Sequence, residues 1–177
     1  IYVQPNGKIP ADAAPAPTLE GYTLAGWMPY GGSTLWDFET NTVGKSPMSL
    51  LAAWQLNPPT VALSADKAAV HVGESITLTA TPDHPIKNAV YSYAWYKDGE
   101  LLEGETASTL TVTESGSYTV KVAATVGSQT STVESEAVAC TVEAHTSGGD
   151  WQYDENNHWH TCSVCGKPID QAAHESD

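Results

Sequence analysis

Apolar and polar residues alternate through the middle of the chain. Ile76, Leu78 and Ala80 are interleaved with Thr77 and Thr79, and Leu110 and Val112 with Thr109, Thr111 and Thr113. A period of two puts one set toward a core and the other toward water, so each run predicts a half-buried strand. Tyr91, Tyr93 and Trp95 repeat the spacing, and Trp95 is expected to pack between two sheets. Asp98-Gly99 follows, two residue types that tolerate the positive φ of a tight hairpin. Val138, Cys140 and Val142 share a face, so Cys140 is expected to be a small buried apolar group. His71 alternates with Val70 and Val72 and is expected at the surface; His84, in the proline-flanked loop TPDHPIKN, is given no role.

The segment ESGSYTV, residues 114–120, resembles the immunoglobulin signature in which a tyrosine precedes the second sheet-bridging cysteine by two residues. Tyr118 has the tyrosine's place. Val120 stands where the cysteine would be, and Ala80 where its partner would be. The resemblance implies an immunoglobulin-like β-sandwich over residues 61–143, without the disulfide and held by packing alone. Such a core has no chemistry of its own and serves as a spacer or a recognition module.

The first 56 residues differ in texture. Ile1 to Gln4 predicts a short strand closed by the turn Pro5-Asn6-Gly7, and PADAAPAP at 10–17 predicts an irregular extended stretch. GYTLAGWMP, TLWDF and MSLLAAW then follow in order. This order resembles the Listeria–Bacteroides repeat, the internalin-type B repeat of bacterial surface proteins, with Gly21, Tyr22, Gly26, Trp27, Trp36, Phe38, Leu50, Ala52 and Trp54 at matching positions. Leu24 and Leu51 replace two of its usual aromatics. The resemblance implies a small β-grasp-like module whose three strands include the WDF segment. Trp27, Trp36 and Trp54 are expected to pack its core rather than form a sugar-stacking platform, because so small a module has little else to bury. Residues 57–60, with Pro58 and Pro59, form a stiff linker.

Charge narrows the partners. The 177 residues carry 21 acidic and seven basic side chains, every one of the seven a lysine, for a net charge of -14. Without arginine and without a positive field, nucleic acid is not an expected partner. No apolar run is long enough to span a bilayer, so no membrane insertion is expected. The chain opens mid-strand without a signal peptide and is taken as a fragment of a longer protein.

Chemistry is confined to residues 144–177. Cys162-Ser163-Val164-Cys165-Gly166-Lys167 has the form of a zinc knuckle, in which two thiolates two residues apart grip one metal and a glycine allows the tight bend. Two further ligands complete a tetrahedron. His145 and His174 are the expected pair, with His160 and then His158 as substitutes; His158, His160 and Cys162 alternate and would share one side of a strand. A Cys162–Cys165 disulfide and a redox pair are the alternatives, as is a disulfide from Cys140 to one of these two. HWHTCSVCG resembles a short HWHxCxxCG repeat of surface proteins from gut Firmicutes, Gram-positive bacteria. A structural Zn2+ is expected, because some 33 largely polar residues need a staple to fold. No HExxH helix accompanies it, so a catalytic metal is not expected.

These expectations describe a mainly β chain: a β-grasp-like repeat, an immunoglobulin-like sandwich and a small zinc-ribbon-like segment. Its expected role is that of a non-catalytic, monomeric stalk or adhesion region of a bacterial protein, extracellular and associated with the cell wall or surface. Two rivals are a module that binds a host or cell-wall glycan or protein, with Asp150, Asp154 and Glu155 as a candidate Ca²⁺ cluster, and an accessory region of a larger extracellular enzyme.

Overall fold

A computed structural model describes residues 3–174. It is mainly β, with one 3-10 turn at Ala11–Ala13. The strands, in order, are β1 (Tyr22–Pro29), β2 (Leu50–Leu56), β3 (Thr60–Ala65), β4 (Ala69–His71), β5 (Ile76–Asp83), β6 (Val90–Lys97), β7 (Glu100–Leu101), β8 (Thr109–Val112), β9 (Gly116–Val126), β10 (Gln129–Glu134), β11 (Val138–Glu143), β12 (Ser147–Tyr153), β13 (Asn157–Cys162) and β14 (Pro168–Ala173). They gather into two compact units, the first from residues up to 60 with 82–91 and 122–133, the second from 61–81, 92–121 and 134 onward.

In the first unit β1 and β2 form an antiparallel ribbon from Tyr22↔Leu56 to Pro29↔Leu50, with a bulge between Leu24 and Gly26. TLWDF, expected as a strand, is none. Trp36 N–H donates to Trp27 O, and the chain then turns away because the Asp37 carboxylate accepts from Glu39 N–H and the Thr40 hydroxyl. Of the strand expected at Ile1 to Gln4, Ile1 and Tyr2 lie outside the described residues, and Val3 and Gln4 belong to no strand. The turn after them is present: Asn6 has φ 66°, and Gly7 N–H donates to Gln4 O.

Two side chains fasten the end of β2. The Gln129 amide accepts from Leu56 N–H at 2.7 Å and donates to Trp54 O at 2.9 Å, pairing with the backbone as a neighbouring strand would. His84 also has a place, contrary to expectation. It is buried, its Nδ1 accepts from Ile86 N–H, and its Nε2 therefore carries the proton donated to Asn57 O at 3.0 Å. Gly21, at φ +79°, lets Ile86 approach so closely that a Cβ there would meet its Cγ1 at 2.7 Å.

The second unit holds the sandwich core. One sheet has the order β4-β11-β9-β6-β7 and another β3-β5-β8. The alternating threonines work as their period predicts: Ile76 pairs with Val112 and Leu78 with Leu110, all four buried, while Thr77, Thr79, Thr109 and Thr111 take the other face. Trp95 is fully enclosed and its indole N–H donates to Ala107 O at 2.8 Å. Asp98 and Gly99 turn the β6–β7 hairpin at φ 52° and 87°. Tyr118 is buried and its hydroxyl donates to Glu114 O at 2.9 Å, the corner bond that the signature implies. Ala80 and Val120 are packed where a disulfide would stand, and Cys140 is a buried free thiol, its pKa raised by desolvation. The remainder of this unit is a three-stranded antiparallel meander, β12-β13-β14.

Trp95→Ala should destabilise the sandwich by about 3–5 kcal/mol in chemical denaturation, the usual cost of truncating a core tryptophan. Thr111→Ala, on the outer face, should stay within about 0.5 kcal/mol.

Candidate metal centre

The centre is assembled from the edge of the sandwich upward. Strand β11 runs parallel to β4, with Val142 opposite Val70 and Glu143 opposite His71. The chain after β4 bends back at Gly73, φ +85°, where Glu74 N–H donates to His71 O and Val72 N–H to Glu143 O. His145, two residues past the end of β11, thereby lands on His71, and the two rings stack at 5.1 Å with 4° between their planes. His71 is only 9% exposed, whereas its place beside Val70 and Val72 predicted a surface residue. Val70 does face inward; the segment after β11 folds over the outer face of β4 and covers His71.

His145 is held at both nitrogens. Its Nε2 lies 3.1 Å from Val72 O, a carbonyl, so Nε2 carries the proton. Nδ1 is left as a lone pair, and it faces Cys165 Sγ at 3.5 Å. A carbonyl fixing the tautomer of a ligand histidine is the usual outer arrangement at metal sites.

The knuckle supplies the sulfurs. Gly166, at φ 71°, donates its N–H to Cys162 O, and Cys162 N–H donates to Lys167 O at 2.8 Å. Ser163 N–H reaches Thr146 O at 3.0 Å. Strand β12 passes hard against this loop: a Cβ on Gly148 would meet Ser163 Cβ at 2.5 Å. Cys162 is buried, and its thiol is lowered to about 5, foremost by the backbone N–H groups of Cys165 and Val164. The same amide cradle that bonds a metal-bound sulfur is thus already in place.

His71, His145 and Cys165 place their ligand atoms within 4.8 Å of one another, a group that can hold a metal ion. The 3.5 Å from Nδ1 to Sγ is close to the roughly 3.6 Å edge of a tetrahedron with ordinary zinc–nitrogen and zinc–sulfur bonds. Cys162 lies beside His145 and is the fourth candidate. Glu74 closes the outside. Its carboxylate pairs with Lys167 at 2.6 Å and accepts from the His71 backbone N–H, which holds it below the usual carboxylate range.

The other sequence candidates lie elsewhere. His174 stacks on His158 at 5.5 Å, and Trp151 covers His160 at 3.9 Å and His158 at 4.8 Å. His158 and His160, two residues apart on β13, both meet Trp151; the register shift beside them falls on β14, where the three-residue step from Ile169 to Ala172 opposes that two-residue step. So the structure brings His145 and Cys165 together with His71 and sets His174 apart from them. Nothing in the local sequence marked His71; its role comes from a strand pairing across some seventy residues.

Two further features bear on chemistry. Asp154, one of the acidic trio, accepts from Asn156 and Asn157 N–H, which lowers its pKa and closes the β12–β13 turn. A cavity of about 290 Å³ in the first unit is lined by Val3, Ile9, Val43, Lys45 and Met48 among others; Lys45 is the one ionisable side chain among the described residues that line it. No helix among the described residues is long and apolar enough to cross a membrane. No family model matches the chain, and no curated protein matches it.

Metal-free protein should show one thiol titrating near pH about 5, read as thiolate absorbance and abolished by Cys162→Ser. The folded-state value lies below the ordinary 9.0, so this thiolate's contribution to stability is complete above pH 9 and is lost as pH falls toward 5. A Cys162 titration near 9 would contradict the cradle described here.

Proposed function

We propose that this chain is a non-catalytic stretch of a bacterial cell-surface protein, a stalk or adhesion region outside the cell whose C-terminal segment is stapled by one structural Zn2+. The observation that carries the reading is the convergence of His71, His145 and Cys165, with Cys162 at their side. Two thiolates and two imidazoles are the donor set of closed tetrahedral zinc sites, and zinc favours that geometry without redox chemistry of its own.

A structural role is favoured over a catalytic one by the state of the neighbours. With Cys162 as the fourth donor beside His71, His145 and Cys165, the shell would have no open position for water or substrate. Glu74, the carboxylate tied to this centre, is engaged by Lys167 and by the His71 backbone N–H, so it is not poised to take a proton near neutral pH. Surface display is supported by the β-modular build and by the resemblance of the first and last segments to repeats of surface proteins. Acidic charge without arginine fits a protein that meets neither nucleic acid nor phosphate.

Native mass spectrometry of the intact chain tests the metal. The expected result is one zinc per chain, removed by chelator and absent from Cys162→Ser. A metal-free chain lighter by two protons would mean a Cys162–Cys165 disulfide and would end the zinc reading.

A further inference from the structure

We infer that the metal does more than staple the C-terminal meander: it clamps that meander onto the sandwich, with His71 as the sandwich's own ligand. The inference rests on the zinc reading above and adds the place from which the last ligand comes. The donors are drawn from three parts of the second unit. Cys165 belongs to the turn between β13 and β14, His145 to the connector after β11 and His71 to the last position of β4; Cys162, which ends β13 beside His145, is taken as the fourth donor.

The meander cannot close the shell alone. Its remaining histidines, His158, His160 and His174, are gathered with Trp151 in a separate cluster. Cys162, Cys165 and His145 make three donors, and a closed zinc site takes a fourth. His71 is the donor that the structure sets in reach, ring against ring with His145. The surrounding bonds link the same two parts. The β4–β5 turn offers Val72 O to His145 and Glu74 to Lys167, so each side of the knuckle is met by the sandwich. Metal bound here makes the sandwich edge and the meander one body; without it they are joined by the 144–146 connector and by exposed hydrogen bonds and one surface ion pair, which are individually weak.

Hydrogen exchange of the full-length chain, with zinc and with chelator, tests the clamp without a substitution. Chelation should speed exchange in the meander, residues 147–173, and also in the β4 edge and its turn, residues 69–74. His71→Ala, its fold checked by circular dichroism, should lower zinc affinity at least about 100-fold, beyond what loss of an outer hydrogen-bond partner costs, whereas Glu74→Gln should lower it no more than about tenfold. Cobalt(II) in place of zinc should give a tetrahedral visible spectrum that changes in His71→Ala and persists in Glu74→Gln. Zinc bound equally by the wild type and His71→Ala, with exchange at 69–74 indifferent to chelator, would overturn the clamp and leave the structural zinc standing. A wild-type chain that binds no zinc would overturn both.

Discussion

Burial of Trp95 is the interaction on which the rest of the second unit depends. A β-sandwich whose cysteines are free has no covalent tie between sheets, so β5 and β9 are held in place by packing. Trp95 fills the centre, and its one polar atom is satisfied by Ala107 O, so the large side chain is enclosed without an unpaired donor. Ala80 and Val120 keep the contact apolar where a bridge would stand. Because the sheets are fixed this way, their edge strands are fixed too, and the candidate metal centre is built on an edge.

That edge explains why the histidine pair exists. Parallel pairing of β11 with β4 sets Glu143 beside His71, and a two-residue step carries His145 over it. The Val72 carbonyl then selects the His145 tautomer whose lone pair faces Cys165. Each bond narrows the freedom left to the next, and the resulting cluster is preorganised for a cation even though its members are far apart in sequence.

What the sequence made legible follows the range of the interactions. Alternating threonines, the Asp98-Gly99 turn, enclosed Trp95 and buried Cys140 are consequences of local period and residue type and could be read directly, whereas the place of Tyr118 came from the resemblance to the immunoglobulin signature. The CxxC knuckle was equally local, and His145 was among the ligands expected. His71 was not, because its burial comes from the connector folding over β4, which no nearby residue announces. His174 showed the opposite case: it was expected at the knuckle, but it stacks on His158 in the cluster around Trp151. The missing TLWDF strand has a local cause that could have been weighed, since the Asp37 carboxylate accepts from Glu39 N–H and the Thr40 hydroxyl, two and three residues on, and such local bonds compete with the ladder.

The direction of the β4–β11 pair has a mechanical meaning. A tension that draws the chain apart along its length pulls β4 toward the N-terminus and β11 toward the C-terminus. In parallel strands these pulls slide one strand along the other, so the bonds from Ala69 to His71 resist together. An antiparallel pair loaded at one end would peel open bond by bond. The three residue pairs on this edge, next to the histidines, therefore carry such a load in shear.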